Sequence, residues 1–130
     1  MYVKISEIIH YFDYSEDVKY YFSLQDGEMY SEDELAEMCV PLGIFSKDSF
    51  VPITKFSCKV AAKKYIKLLN DKKLRHILQK TSDENYLDVF YRYIDDGFIQ
   101  LGNWHEFKRL ELSKIAVEWC ENNGIKYTLN

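Results

Sequence analysis

The sequence is poor in the residues that build disulfide frameworks and phosphate-binding loops. Its three cysteines, Cys39, Cys58 and Cys120, are an odd number with no close pair. That spacing excludes a disulfide framework and a thiol redox motif, so we expect all three to be reduced. Five glycines and two prolines form no glycine-rich phosphate loop and no dinucleotide-binding fingerprint.

The common catalytic and metal-binding motifs are also missing from the sequence. His10, His76 and His105 are far apart and belong to no H-E-x-x-H motif, and neither an EF-hand loop nor a G-x-S-x-G elbow occurs. The adjacent Asp95 and Asp96 precede a glycine, which is more typical of a helix end than of an acid/base dyad. The sequence therefore predicts no catalytic, cofactor-binding or metal-binding residue.

Long hydrophobic runs are absent as well. No apolar segment approaches the ~20 residues of a membrane-spanning helix. The first twenty residues have neither a basic start nor a small-residue cleavage site. The net charge of −4 gives no overall attraction to nucleic acid or to a membrane surface. These absences predict a cytoplasmic protein with no membrane partner.

Hydrophobic and aromatic side chains are plentiful, at 47% and 16% of the 130 residues. A chain of this length buries about two thirds of its unfolded surface, which is enough for a core and predicts one domain, residues 1–130. The predicted fold class is α+β. We expect a mostly helical single domain with one antiparallel β-hairpin or small sheet packed against a long C-terminal helix.

The first part of the chain is predicted to contain a hairpin between short helices. Asp26-Gly27 is the strongest turn signal and favours a tight type I′ connection within a hairpin from Lys19 to Tyr30. Ser31 and Glu34 predict a capping box for a helix that ends near Cys39. The other expected features are a helix capped by Ser6 with Ile5, Ile8, Ile9 and Phe12 on its apolar face, chain breaks at Pro41 and Gly43, and an edge strand at Phe50–Ile53.

Three helical segments are predicted next, from Lys55 to about Asn70, around Leu74, and from a cap at Thr81 and Glu84 to a stop at Asp96-Gly97. Their apolar faces comprise Cys58, Ala61, Ala62, Tyr65, Ile66 and Leu69 in the first helix, Leu74, Ile77 and Leu78 in the second, and Tyr86, Leu87, Phe90, Tyr91 and Ile94 in the third.

The segment from Gly102 to Leu129 has the clearest start, apolar face and stop. Asn103 and Glu106 predict a capping-box-like start. Asn122-Asn123-Gly124 predicts the end, with Ile125 folding back onto Cys120 in a Schellman-type contact. The apolar face is expected to contain Leu112, Ile115, Ala116, Trp119 and Cys120, and the alternation of Ile125, Tyr127 and Leu129 predicts a short final strand.

The run AVEWCENNGIKY in this tail resembles the C-terminal signature of a small bacterial family, uncharacterised protein family number one hundred and fifty-eight. ISEII, FSLQDGEMY, VPI and WHEF occur in the same order as in that family. Members of the family carry a basic Phe-Arg-Arg-Phe-type run before the tryptophan, whereas this chain has NYLDVFYRY at residues 85–93. The resemblance implies no activity.

Charge is segregated along the chain. Residues 13–37 contain nine acids and the single base Lys19, whereas residues 55–80 contain nine bases and the single acid Asp71. The basic stretch is typical either of a solvated helix face or of a phosphate-binding surface. The acidic stretch either keeps a hairpin edge soluble or presents carboxylates to a basic partner. The two stretches are also able to pair with one another, within the fold or in a homodimer.

Eleven tyrosines exceed what the predicted apolar faces use, which indicates a partly exposed aromatic surface near the acidic hairpin. The first hypothesis is therefore a small protein-binding or regulatory module with an unidentified protein partner. Its contact residues are Tyr21, Asp26, Glu28, Tyr30, Glu32 and Asp33.

The alternative is a weak nucleic-acid binder that uses the lysine-rich segment 55–80, or an acidic nucleic-acid mimic that inhibits a nucleic-acid enzyme. The basic contact residues of the former are Lys59, Lys63, Lys64, Lys67, Lys72, Lys73 and Arg75. An enzyme of unfamiliar type is the third hypothesis.

Overall fold

The computed structural model describes residues 2–38 and 49–130. The elements in order are β1 (Val3–Lys4), α1 (Ile5–Asp13), β2 (Tyr20–Ser23), β3 (Met29–Ser31), α2 (Glu32–Glu37), β4 (Phe50–Pro52), α3 (Cys58–Leu68), α4 (Lys72–Lys80), the 3₁₀ helix Asp83–Asn85, α5 (Tyr86–Asp95), α6 (Leu101–Asn122) and β5 (Tyr127–Thr128). The predicted α+β class is confirmed. Cys39, Pro41 and Gly43, the predicted end of α2 and the breaks after it, lie outside the described residues.

The chain divides into two compact units. Unit 1 comprises Met1–Phe56 and Leu112–Asn130, and unit 2 comprises Ser57–Glu111. Helix α6 contributes its first half to unit 2 and its second half to unit 1. The expectation of one domain stays a prediction.

Unit 1 contains a three-stranded antiparallel sheet in the order β3-β2-β4. Phe22 in the central strand is opposite Met29 on one side and Val51 on the other. Its buried ring meets the indole of Trp119 edge-on, with ring centroids 5.5 Å apart. Trp119 Nε1 also donates a hydrogen bond of 3.0 Å to the Pro52 carbonyl. The predicted packing of a small sheet against the C-terminal helix is therefore confirmed, and Pro52 lies in an edge strand as expected.

The hairpin is confirmed, but its tight type I′ connection is wrong. Residues 24–28 connect β2 to β3. The Gly27 N–H donates to the Ser23 carbonyl, and the Ser23 N–H donates to the Glu28 carbonyl, each at 2.9 Å. Gly27 has a φ of 74°, a conformation that glycine adopts without steric cost. The longer loop is favoured because the Asp26 carboxylate accepts the Glu28 N–H at 2.9 Å and thereby satisfies the loop backbone.

The end of the chain is joined to its beginning. Gly124 has a φ of 65°, and the Ile125 N–H donates to the Cys120 carbonyl at 2.8 Å, as the predicted Schellman motif requires. The predicted final strand is confirmed as β5. It pairs in parallel with β1, with Val3 opposite Tyr127, a partner that no local pattern in the sequence indicates.

Unit 2 is built around Trp104, which is 1% exposed. Its indole contacts Phe90, Tyr65 and Phe107, with ring centroids at 4.8, 5.5 and 6.3 Å. Helices α3, α4 and α5 and the segment before α6 supply further buried side chains of this unit, which include Ala61, Ala62, Ile66, Leu74, Leu78, Tyr86 and Ile99.

Two residues predicted to point inward in unit 2 are exposed. Ile77 is 36% exposed in α4, and Tyr91 is 37% exposed in α5. Each lies next to a helix position that is more deeply buried, Leu78 and Phe90 respectively. The apolar stripes on these short helices are therefore narrower than the sequence pattern suggests.

Three predicted helix caps are wrong. Helix α1 begins at Ile5 with no side-chain cap, because Lys4 is held extended in β1, and Ser6 lies inside the helix. The Thr81 hydroxyl donates back to the Ile77 carbonyl at 3.1 Å and so belongs to the end of α4. Helix α6 begins before Asn103, since the Trp104 N–H donates to the Gln100 carbonyl.

The capping box of Ser31 and Glu34 is confirmed, with bonds of 3.0 and 3.1 Å. Helix α3 begins at Cys58, three residues later than expected, because the Ser57 hydroxyl accepts the Val60 N–H. Asp71 caps α4 in the same way, by accepting the Leu74 N–H at 3.0 Å. Side-chain caps therefore fix three of the helix starts.

Candidate functional site: an acidic hairpin and a lysine-rich segment

We define the acidic hairpin as Tyr21, Asp26, Glu28, Tyr30, Glu32 and Asp33. These residues lie on β2, on its turn, on β3 and on the first turn of α2. Tyr21 and Tyr30 are directly opposite in the strand pairing, and Pro52 is opposite Tyr21 on the other side. Both tyrosines are half-buried. The sheet therefore carries a short row of tyrosine, tyrosine and proline across its three strands.

Asp26 stabilises the turn of the acidic hairpin. Its Oδ2 accepts a 2.6 Å hydrogen bond from the Tyr30 hydroxyl, and its Oδ1 accepts the Glu28 N–H. The bond from Tyr30 lowers the pKa of Asp26, and the same bond raises the pKa of Tyr30. Asp26 therefore fixes the shape of the surface, and the sequence interpretation of it as a contact residue overlooked this structural role.

The other three acidic residues of the hairpin do not stabilise the turn in the way that Asp26 does. Within the described part of unit 1, no basic side chain forms an ion pair with Glu28, Glu32 or Asp33. Glu32 and Asp33 lie in the first turn of α2, where a carboxylate is favoured by the helix dipole. Glu28 and Asp33 are exposed. No ion pair within the described part of unit 1 therefore neutralises these three carboxylates.

The lysine-rich segment is partly neutralised within unit 2. Lys59 Nζ lies 2.9 Å from Asp83 Oδ2, and Lys63 Nζ lies 2.6 Å from Asp83 Oδ1. Lys64 Nζ lies 3.0 Å from Glu111 Oε1. The partners are 20 to 47 residues apart in the chain, so the local spacing of charges did not reveal them.

The remaining basic residues lie at two cavities and at the exposed start of α4. Lys67 and Arg75 line a cavity together with Lys63. Lys73 lines a separate cavity next to Ile77 and Phe98. Lys72 is the first residue of α4 and is exposed. Three of the predicted nucleic-acid contact residues therefore form ion pairs, and one of these, Lys63, also lines a cavity with Lys67 and Arg75.

The pairing of Asp83 with two lysines yields a prediction for its titration. Hydrogen bonds from Lys63 and Lys59 lower the pKa of Asp83 from 3.8 to about 2. The ion pairs therefore persist above the unfolded value of 3.8, and they are lost as the pH falls through about 2. We expect a carboxyl NMR titration to place the Asp83 midpoint near that lower value. In the double variant Lys59→Met/Lys63→Met the midpoint should rise toward its ordinary value, and an unchanged midpoint would contradict the pairing.

A cavity of about 420 Å³ adjoins the base of the hairpin. Lys19, Tyr20 and Tyr21 from the hairpin strand and Pro52 and Lys55 from the other side contribute to its lining. Burial and the neighbouring Tyr11 hydroxyl raise the pKa of Tyr20. The row of Tyr30, Tyr21 and Pro52 across the sheet therefore borders a cavity at Tyr21 and Pro52.

Residues 2–38 and 49–130 contain no group of three or more histidine, cysteine, aspartate or glutamate residues arranged to hold a metal ion. No helix in the part of the chain that the structure describes has the length and apolar character needed to cross a membrane.

No family model, curated protein or solved structure matches the chain. The resemblance of the AVEWCENNGIKY tail to a known family therefore stays a prediction. Within the structure, that tail forms the end of α6, its Schellman stop and the start of β5.

Proposed function

We propose that this protein is a protein-binding module that presents the acidic hairpin to a basic surface of its partner. The observation that carries the proposal is the contrast between the two charged stretches. Lys59, Lys63 and Lys64 are already bound to carboxylates of their own unit. The carboxylates of Glu28 and Asp33 are exposed, with no ion-pair partner in the described part of theirs.

The tyrosines of the hairpin support the same proposal. Tyr21 and Tyr30 lie side by side and half-buried on a strand pair. Tyrosine is enriched at protein interfaces because its ring buries a large area at a low entropy cost and its hydroxyl keeps a polar contact. The hydrogen bond between Tyr30 and Asp26 fixes one ring before binding, which lowers the entropy lost on association.

Cytoplasmic action is part of the proposal. Among the described residues, Cys58 and Cys120 form no disulfide bond, as is usual in a reducing compartment. Burial raises the pKa of Cys120 to about 11, so this thiol has little thiolate character and serves as a small apolar residue. The partner is expected to bring lysine or arginine side chains to Glu28, Glu32 and Asp33.

Charge reversal on the hairpin tests the proposal. We expect the triple variant Glu28→Lys/Glu32→Lys/Asp33→Lys to lose its partner in affinity capture from the source cells, because attraction becomes repulsion. Asp26 is left unchanged, since its carboxylate holds the turn. Circular dichroism should show an unchanged fold.

The matched control is Glu84→Lys/Asp88→Lys/Glu118→Lys, which alters the net charge equally at exposed acids that are not part of the acidic hairpin. It should capture the same partner as the unmodified chain. Capture of that partner by the hairpin variant, or equal loss in both variants, would count against the proposal.

A further inference from the structure

Unit 2 contains a cavity of about 240 Å³ whose lining is formed by α3, α4, Thr81 and the first residue of α5. Ile66, Leu78 and Tyr86 supply its apolar lining and are almost fully buried. This volume is smaller than that of most sites for drug-sized ligands. The cavity is therefore suited to a small metabolite.

The charged side chains that line the cavity are all basic. Its described lining residues include Lys63, Lys67 and Arg75 and no acidic residue. Lys63 and Lys67 are four positions apart on α3, a spacing at which like charges repel each other. Asp83 offsets only the Lys63 side, and neither Lys67 nor Arg75 has a carboxylate partner among the described residues. An anion bound between them would relieve this repulsion.

The hydrogen bonding of Arg75 is a second, independent indication that the cavity binds an anion. Its Nη2 donates a 2.9 Å hydrogen bond to the Leu69 carbonyl, which orients the guanidinium group. Its Nε is buried and has no acceptor among the described residues. An unpaired buried donor is unusual in a native structure and costs free energy. Arg75 also lines the cavity, so a ligand with several acceptor oxygens would lie next to a guanidinium group whose bonding within the chain is incomplete.

We propose that this cavity binds a small organic phosphate monoester. A phosphate group carries close to two negative charges and three acceptor oxygens, which suits three cationic side chains better than one carboxylate does. The organic part of the ligand contacts Ile66, Leu78 and the Tyr86 ring. The site lies in unit 2 and uses no residue of the acidic hairpin, so it is independent of the proposed protein contact.

The test is an NMR titration of the isotope-labelled full chain with phenyl phosphate. We expect saturable shifts at Ile66, Lys67, Leu78 and Gln79, and tighter binding than that of inorganic phosphate or phenol. The variant Lys67→Ala should weaken binding by about threefold or more, as expected for one charged contact. Lys67 is exposed, so the fold should tolerate this change.

The control variant is Lys72→Ala, which removes an exposed lysine that does not line the cavity and should leave the affinity unchanged. Three results would overturn the proposal. They are the absence of saturable binding, equal weakening by the two variants, and an affinity for phenyl phosphate no higher than that for inorganic phosphate.

Discussion

Trp119→Ala should lower the free energy of unfolding by about 3–5 kcal/mol, the usual cost of truncating a buried tryptophan. The indole is 2% exposed and lies edge-on to both Phe12 and Phe22, at centroid distances of 5.7 and 5.5 Å. Its removal leaves a cavity between α1 and the sheet. It also deletes the hydrogen bond that joins α6 to the Pro52 carbonyl in β4.

Chemical denaturation followed by circular dichroism measures this loss. Trp119→Phe should cost less, since a ring remains and only the bond to the Pro52 carbonyl and part of the volume are lost. Leu129→Ala, at a side chain that is 75% exposed, is the surface control and should change stability by about 0.5 kcal/mol or less. A Trp119→Ala effect no larger than that control would show that the sheet does not depend on α6.

Trp104→Ala is expected to cause a loss of similar size in unit 2, about 3–5 kcal/mol. The Trp104 ring lies among the rings of Phe90, Tyr65 and Phe107. Trp104 and Phe90 are both almost completely buried. Aromatic contacts of this kind add to the effect of area burial. The control is Phe98→Ala, because that ring is 68% exposed and contacts Tyr93 alone among the described ring pairs. Equal stability losses in these two variants would contradict the placement of Trp104 at the core of unit 2.

These two tryptophan variants also test the prediction of one domain. The chain has two tryptophans, so each variant retains one tryptophan, in the opposite unit, whose fluorescence can be excited selectively. If the chain is a single cooperative domain, the remaining tryptophan and the overall helicity should change at the same denaturant concentration. Separate transitions would show that the two units unfold independently.

The sequence predicted the fold well where local physics decides it. Gly27, Gly97 and Gly124 all adopt positive φ at predicted turns or helix ends, because glycine adopts that conformation at the lowest cost. The capping box at Ser31 and the burial of Leu112, Ala116, Trp119 and Cys120 follow from equally local patterns.

Prediction failed where distant parts of the chain decide the local structure. Ser6 does not cap α1 because Lys4 is held extended by pairing with Thr128. Thr81 closes α4 instead of opening α5, and only the completed fold shows which helix its hydroxyl serves. Each of these positions satisfies a capping pattern, and the pattern alone does not identify the backbone group that will use the side chain.

In the candidate sites, too, the features set by local sequence were predictable and those set by contacts between distant residues were not. Both charged stretches are visible in the sequence, and the turn at Asp26 places the hairpin residues together. The pairing of Lys59 and Lys63 with Asp83 arises from the packing of α3 beside the start of α5. The cavity next to Lys67 and Arg75 likewise depends on how α3 and α4 meet. Neither follows from residue spacing along one helix.

The most direct test of the proposed function is chemical-shift mapping of the isotope-labelled chain with a peptide rich in arginine and leucine, compared with a short DNA duplex. We expect the peptide to shift the amides of β2, β3 and the first turn of α2, with effects that decrease as salt rises. The DNA should cause no saturable shifts. Saturable DNA shifts along α3 and α4, with a hairpin that does not respond to the peptide, would contradict the proposal and favour the lysine-rich segment instead.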